Sequence, residues 1–362
     1  MKITNLRTEV VEFPYKTPMG LSANNYLRTG SCVLVFLESD QGAVGEGLVY
    51  AFNGDRIKLY NDLVTSFASL VVDKDPTHSG AIFAALWGNI RTLGQSGFAV
   101  NAVAGVDMAL WDLRAKLVDL NVASLIGACR TTMPVYNSGD YWNTLSIDDA
   151  QKNAAAHLAQ GFRAFKLRLT GNNADDIARV NAIRAVIGDK NALLVDLNQR
   201  STVPNAIRLG RALEEFNLTW FEEPLPYHDH TGEAEITAAL DTPVASGESV
   251  YTSRGILEML KLRACDIVMP DLQHMGGPTE FLKAACYAEA FNTPVSNHCF
   301  TEMSMSLLAA IPHANWLEYM PWLEPIYKER IELNKYGDAV MPTAPGWGFS
   351  FDPVAVKKYA LR

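Results

Sequence analysis

The chain has 362 residues, a formal net charge of −9 and no run of basic residues. This length suits a large barrel with additional parts, and the acidic balance argues against a nucleic-acid partner because phosphate binding needs a positive surface. No apolar run approaches the roughly 18 residues of a membrane span, no signal-peptide pattern opens the chain, and the 5 cysteines lack CxxC spacing, so we expect a cytoplasmic protein without a membrane partner.

The amino-terminal third predicts an α+β domain. Residues 2–14, 31–37 and 43–48 alternate between apolar and polar residues as antiparallel strands do. From about residue 56 the apolar residues recur at helical spacing instead. Strands followed by helices are typical of a separate α+β unit, which we place at residues 1–125.

From residue 134 the chain alternates between strands and helices. Polar or charged residues stand at the carboxyl end of each predicted strand, which is the end where barrel enzymes assemble their active sites. This pattern predicts a (β/α) barrel over residues 126–322, with a tail over residues 323–362 that packs back on the first domain. The predicted strands are 134–138, 164–168, 195–199, 218–222, 243–248, 266–271, 294–298 and 315–318.

Three carboxylates follow each other at one period. Asp196, Glu222 and Glu248 end successive predicted strands and are 26 residues apart. A strand, a helix and two short loops need roughly 25 to 30 residues, so this spacing indicates adjacent barrel strands. Three converging carboxylates repel each other unless a cation lies among them, and oxygen ligands favour Mg²⁺. The sequence therefore predicts a magnesium site.

The motifs at these strand ends resemble the enolase superfamily and, within it, the mandelate racemase subgroup, also called the mandelate racemase and muconate lactonizing enzyme family. The resemblance covers nearly the whole chain. It implies a modified (β/α)₇β TIM barrel and a capping domain formed by the amino-terminal region and the carboxyl-terminal tail. The matching segments are residues 166–168, 195–199, 221–224, 247–248, 269–271, 276–277, 296–298 and 316–318.

The resemblance also implies a reaction, the abstraction of the proton α to a substrate carboxylate. Mg²⁺ on the three carboxylates would stabilise the resulting enediolate. His298 resembles the subgroup's base, and Asp271 resembles the carboxylate that fixes the tautomer of that base. Glu318 resembles the acid that hydrogen-bonds the substrate carboxylate.

The segment Lys166-Leu167-Arg168 departs from the family pattern. Mandelate racemase has Lys-x-Lys there, and its second lysine is the base on the face opposite the histidine. An arginine stays protonated at ordinary pH, so Arg168 is a poor base. Either Lys166 takes this role, or Arg168 is an electrostatic clamp and His298 works alone. The arginine favours dehydration, which needs a single base.

Four further residues are predicted to contact the substrate. Asn198 and Ser138 are short polar residues at strand ends, although such residues often only satisfy backbone groups. His274 stands where mandelate racemase has a lysine after its aspartate. Phe52, together with Asn53, falls where the family's capping loops close on the substrate.

The resulting hypothesis is a Mg²⁺-dependent dehydratase of a small hydroxylated carboxylate, either a sugar acid or a hydroxylated cyclic amino acid. Two alternatives within the family stay open. A racemase or epimerase would use Lys166 and His298 as its two bases, and a cycloisomerase would act on a lactone. A binding protein without turnover is disfavoured because acid, base and metal residues are all present. Family members commonly assemble, so we expect a homo-oligomer.

Overall fold

The computed structural model describes residues 1–22, 25–52, 54 and 56–361, with only the backbone described for residues 16–22, 25 and 26. The strands are β1 Ile3–Ser22, β2 Asn25–Ser39, β3 Val44–Phe52, β4 Thr132–Asn137, β5 Ala164–Arg168, β6 Ala192–Asp196, β7 Trp220–Glu222, β8 Val244–Ser246, β9 Ile267–Val268, β10 Leu317–Tyr319 and β11 Asp338–Val340. The helices are α1 Ile57–Ser66, α2 Ala68–Val71, α3 Ser79–Asn89, α4 Gly97–Leu117, α5 Val122–Ile126, α6 Ile147–Ala159, α7 Asn173–Ile187, α8 Val203–Leu213, α9 His230–Ala239, α10 Thr252–Leu262, α11 Leu272–Met275, α12 Pro278–Ala290, α13 Thr301–Ala309 and α14 Pro353–Tyr359.

The cap is an antiparallel sheet in the order β1-β2-β3, covered by the long helix α4. This helix is buried around most of its circumference because one side packs on the sheet and the other contacts α11 and α12 of the barrel. Gly47 of β3 permits the close approach, since a Cβ atom there would lie 2.3 Å from the carbonyl oxygen of Gly105. Within the described ranges, neither α4 nor any other helix combines the length and apolarity that a membrane crossing requires.

The barrel is a curved parallel sheet in the order β10-β4-β5-β6-β7-β8-β9. The strand predicted at residues 294–298 differs in detail, because isolated bridges from Val295 to Val268 and from His298 to Asp271 replace a continuous ladder. Pro294 on this segment and Pro270 opposite it have no amide hydrogen to donate, which interrupts the ladder. The predicted fold, a modified TIM barrel with an α+β cap, is confirmed.

The carboxyl-terminal tail contacts both parts. Its strand β11 adds antiparallel to β4 of the barrel. Further along, the amide of Trp347 donates to Asp112 of α4 at 2.7 Å, and Ala360 forms a bridge with Val11 of β1. The tail therefore joins cap and barrel, while the domain limits at residues 125 and 322 remain a prediction.

A glutamine side chain fixes the end of β3 above the barrel mouth. Gln273 of α11 accepts from the amide of Tyr50 at 2.7 Å and donates to its carbonyl at 3.2 Å, as a paired strand would. Gln273 lies two residues after Asp271. The cap is therefore aligned on the part of the barrel that carries the predicted base.

Candidate active site

The three predicted metal ligands lie together at the carboxyl ends of neighbouring strands. Asp196 is the last residue of β6 and pairs in register with Glu222, the last residue of β7. Glu248 follows β8 by two residues. One carboxylate oxygen from each residue lies within 4.8 Å of the others, and all three residues are buried.

This donor set fits a divalent cation. Three carboxylates buried at such distances repel each other, and burial raises the pKa of Glu222 despite the neighbouring Lys166. The Oε2 atom of Glu248 is buried and finds no hydrogen-bonding partner among the described residues. Mg²⁺ prefers oxygen ligands, and a carboxylate oxygen without a hydrogen-bonding partner is available to bind it. Asp196, Glu222 and Glu248 would hold the ion.

Lys166, on β5, is buried among these acids. Its Nζ atom lies 2.5 Å from Oε1 of Glu222, 2.9 Å from Oε1 of Glu318 and 3.6 Å from Oδ2 of Asp196. Burial opposes protonation, but Glu222 and Glu318 outweigh it, so the pKa of Lys166 lies above its ordinary value. These partners favour the protonated form of Lys166.

Arg168, two residues further along the same strand, is held in a similar way. Its guanidinium donates to Oδ2 of Asp196 and lies over the ring of Trp142, at 4.6 Å from the ring centre. Burial works against the charged form, yet Asp196 and Glu248 raise the pKa of Arg168. The contacts of Lys166 and Arg168 therefore both favour the charged form of the side chain.

Asp271 and His298 form the predicted dyad, and local structure explains their alignment. Asp271 caps α11, where its Oδ1 atom accepts from the amides of Gln273 and His274. Its Oδ2 atom lies 2.8 Å from Nδ1 of His298. Because Asp271 holds Nδ1, Nε2 is the ring nitrogen left for a substrate; it lies 3.6 Å from Oε1 of Glu248 and 3.3 Å from Sγ of Cys299.

The charges around the dyad shift both residues toward an ion pair. Burial raises the pKa of Asp271, but the opposing effect of His274 and His298 is larger, so the pKa of Asp271 lies below its ordinary value. Burial lowers the pKa of His298, while Cys299, Glu248 and the hydrogen bond to Asp271 raise it well above the ordinary value. The base is therefore strengthened by its surroundings.

Replacing Asp271 by asparagine is expected to lower the pKa of His298, because the acceptor that stabilises its protonated ring loses its charge. The neutral ring would then persist to lower pH, and the acid limb of the rate profile would move in the same direction. NMR titration of the His298 ring in chelator-treated protein measures this shift. As a control, Asp266→Asn removes a carboxylate at the opposite end of β9 and should leave the titration unchanged.

Glu318, on β10, is fully buried beside the dyad. Its Oε2 atom accepts from the amide of Cys299 at 2.6 Å. Burial raises the pKa of Glu318, but Lys166, His298 and Arg168 lower it to about 2. Glu318 is therefore an ionised acceptor when these partners are charged, and its role as the acid that hydrogen-bonds the substrate carboxylate stays a prediction.

A cavity of about 300 Å³ opens between cap and barrel beside His298. Phe52, which is 47% exposed, lines it and packs edge-on against Trp322 at 5.6 Å. His274 lines it as well, with Nδ1 at 2.7 Å from the carbonyl oxygen of Glu248 and its ring against Tyr251. Two of the four predicted substrate contacts, Phe52 and His274, therefore face one space with the candidate base.

Of the other two predicted contacts, Asn198 has a local partner, whereas the side chain of Ser138 has none among the described residues. The amide of Asn198, in the left-handed region at φ 44°, donates to Oδ1 of Asp196 at 2.7 Å and so orients that ligand. Ser138 is buried after β4, and its hydroxyl has no hydrogen-bonding partner within the described part of the chain. Asn53 lies outside the described residues.

Several functional neighbours were not predicted from the sequence. The indole of Trp220 donates to Oε2 of Glu222 at 2.8 Å, and strand alternation could have revealed this pair because residues i and i+2 share a face. The backbone carbonyl of the buried Glu223 accepts from the amide of Gln199, and its carboxylate accepts from the Gln199 side chain. These hydrogen bonds connect the loop after β6 to the loop after β7. Cys299 lies beside His298, with Sγ at 3.3 Å from Nε2.

Comparisons with known proteins agree with this geometry. Residues 4–127 match the family model of the mandelate racemase / muconate lactonizing enzyme N-terminal domain, and residues 149–355 match the enolase C-terminal domain-like model. The chain is 35% identical over 325 residues to L-talarate/galactarate dehydratase of Salmonella typhimurium, covering 89% of this chain and 81% of that protein. It is 29% identical to 3,6-anhydro-alpha-L-galactonate cycloisomerase of Streptomyces coelicolor, with 97% of each chain covered.

Solved structures show the same relationship. The L-talarate dehydratase of Polaromonas sp. JS666, in complex with Mg and L-glucarate, superposes with a TM-score of 0.95 at 32% identity, covering 100% of this chain and 98% of that one. Because the relatives are dehydratases and cycloisomerases of the enolase superfamily, the predicted enzyme class and cofactor are confirmed. The protein is a Mg²⁺-dependent lyase or isomerase that removes the proton α to a carboxylate. The chain belongs to the mandelate racemase and muconate lactonizing enzyme family of the enolase superfamily.

Proposed function

We propose that the protein is a Mg²⁺-dependent dehydratase of a polyhydroxylated sugar acid. The observation that carries this proposal is the asymmetry of the site. One imidazole, His298, has a ring nitrogen facing the reaction space, whereas the ammonium of Lys166 and the guanidinium of Arg168 are paired with buried acids. A single base is enough for elimination of water, but inversion of a carbon centre needs proton exchange on both faces.

The proposed binding roles follow from the contacts. Asp196, Glu222 and Glu248 hold Mg²⁺, which supplies positive charge that offsets the negative charge developing on the substrate carboxylate. Lys166 lies among the ligand oxygens and is positioned to pair with the same carboxylate. Arg168 acts as a clamp, because its contacts with Asp196 and Trp142 fix a second positive charge in place.

The proposed proton path uses the dyad alone. Nε2 of His298 takes the α-proton, and Asp271 stabilises the resulting imidazolium through Nδ1. As the bond from the β-carbon to its hydroxyl oxygen breaks, the imidazolium returns the proton to the leaving hydroxide, so that water is released. The enol that remains then tautomerises to a 2-keto-3-deoxy acid.

A lactone cycloisomerase is the second candidate. It is favoured by the likeness to D-galactarolactone cycloisomerase of Agrobacterium fabrum, which is 28% identical and covers 100% of this chain and 99% of that protein. Loss of a ring oxygen from the β-position needs the same single base as loss of water. An epimerase is less well supported, since Lys166 would first have to lose the proton that Glu222 and Glu318 hold on it.

A panel of sugar acids, sugar lactones and hydroxylated cyclic amino acids, incubated with enzyme and Mg²⁺ in deuterated water, tests the proposal. We expect a sugar acid to give a keto product with loss of water, and recovered substrate to keep its configuration at the α-carbon. Mass spectrometry and NMR distinguish the outcomes. Recovered substrate with an inverted α-carbon would assign an epimerase, and an isomerised lactone of unchanged mass would assign a cycloisomerase.

We further propose that the enzyme is a cytoplasmic homo-oligomer that acts on a small-molecule carboxylate and not on nucleic acid. Support for a reducing compartment comes from the cysteines, all five of which are free thiols. The net charge of −9 supports the exclusion of nucleic acid. We propose a homo-oligomer because members of this family commonly assemble.

A further inference from the structure

A group of mixed donors lies beside the magnesium ligands. A ring nitrogen of His298, Sγ of Cys299 and a carboxylate oxygen of Glu318 all lie within 4.8 Å of one another, and Sγ contacts Nε2 of His298 at 3.3 Å. We propose that these residues form a second metal site, which binds a thiophilic divalent cation such as Zn²⁺ and thereby inhibits the enzyme.

The distance between the nitrogen and sulfur donors fits Zn²⁺. In tetrahedral zinc sites Zn–N is about 2.0 Å and Zn–S about 2.3 Å, which places the two donor atoms about 3.6 Å apart. Sγ of Cys299 lies 3.3 Å from Nε2 of His298, so a small adjustment suffices. On binding, the S–H bond of Cys299 and, where the ring is protonated, the N–H bond at Nε2 of His298 break, both atoms bond the metal and the protons go to solvent.

The donor chemistry separates this site from the magnesium site. Thiolate and imidazole donors favour zinc, whereas Mg²⁺ prefers oxygen donors only. Asp271 already holds Nδ1 of His298, which is the outer contact that zinc-bound histidines usually have. Both His298 and Cys299 line the cavity between cap and barrel, so an ion can reach them.

The functional consequence rests on the role of His298 in the proposed function. With Nε2 bound to a metal, the imidazole cannot accept the α-proton. Zn²⁺ should therefore inhibit turnover, and added Mg²⁺ should not restore it, because the two ions occupy different donors. Metal binding itself does not depend on that role and can be measured separately.

The first test is spectroscopic and uses Cd²⁺ as the probe in the presence of saturating Mg²⁺. The exposed Cys129 and Cys286 are first replaced by serine to remove competing thiols. We expect a thiolate-to-cadmium charge-transfer band that saturates at one equivalent. Adding Cys299→Ser should abolish the band, whereas adding Cys265→Ser, a buried cysteine at the opposite end of the barrel, should preserve it. Absence of the band in the folded double variant that retains Cys299 overturns the proposal, even if Cys299→Ser itself fails to fold.

The second test measures turnover against Zn²⁺ concentration. Cys299→Ser should raise the half-inhibitory concentration by at least about 10-fold, because loss of an outer contact alone typically costs 10–100-fold in metal affinity. Equal sensitivity of Cys299→Ser, or relief of inhibition by Mg²⁺, would place zinc on the three acids and overturn the proposal. A cadmium band without zinc inhibition would support the site and refute His298 as the base.

Discussion

Glu248→Gln is expected to abolish Mg²⁺-dependent turnover in a protein that still folds. The amide is a weaker ligand and removes one negative charge from the group formed with Asp196 and Glu222. Metal stabilisation of developing charge is worth several kcal/mol, and each 1.4 kcal/mol is a factor of ten, so we expect a loss of about 1000-fold or more. The change breaks no hydrogen bond at Oε2 of Glu248, which has no partner among the described residues, although it also removes the charge 3.6 Å from Nε2 of His298.

Thermal unfolding gives this prediction a second readout. Without added metal, Glu248→Gln should unfold at the same temperature as the wild type or higher, because one of three mutually repelling buried carboxylates is gone. The rise in Tm that Mg²⁺ produces through binding the native state should be lost. Glu258→Gln, an exposed acid on α10, is the control and should keep both turnover and the Mg²⁺ response. A Glu248→Gln enzyme that Mg²⁺ still stabilises and activates would remove Glu248 from the metal site.

His298→Asn is expected to slow the exchange of the substrate α-proton with deuterated solvent by about 10²- to 10⁴-fold. General base catalysis by a positioned side chain contributes about 10²- to 10⁴-fold, and an amide cannot replace it. The smaller side chain keeps the polarity of the position and leaves the three acids untouched. Measured by NMR, exchange should fall by that factor, while Mg²⁺ still raises the Tm of the variant.

The control for this variant is His228→Asn. His228 is exposed in the loop after β7. It should retain the wild-type exchange rate. If His298→Asn exchanged the α-proton at the wild-type rate, another group would have to be the base, and Lys166 would be the first to examine.

Local pattern alone determined the positions of the three acids, whereas the dyad of Asp271 and His298 was identified through the resemblance to the family. Alternation along a strand and the repeat of 26 residues were enough to place Asp196, Glu222 and Glu248 at one barrel end, because parallel strands point their carboxyl ends the same way. The sequence also showed that Arg168 replaces the second lysine of the family pattern. It indicated that this residue is a poor base, because the pKa of a guanidinium remains high in almost any surrounding.

Tertiary structure decided which side chains meet and which protons they hold. From the sequence, Lys166 is a candidate base. The structure places three acids from other strands around its Nζ atom, and they favour its charged form. Gln273 and Tyr50 are 223 residues apart, and no periodicity predicts that they join cap and barrel. Cys299 is adjacent to His298 in the sequence, but only folding brings its sulfur to the reactive nitrogen. The physical reason is that periodicity encodes the direction of a side chain, whereas a pKa or a ligand set is the sum of contacts from distant segments.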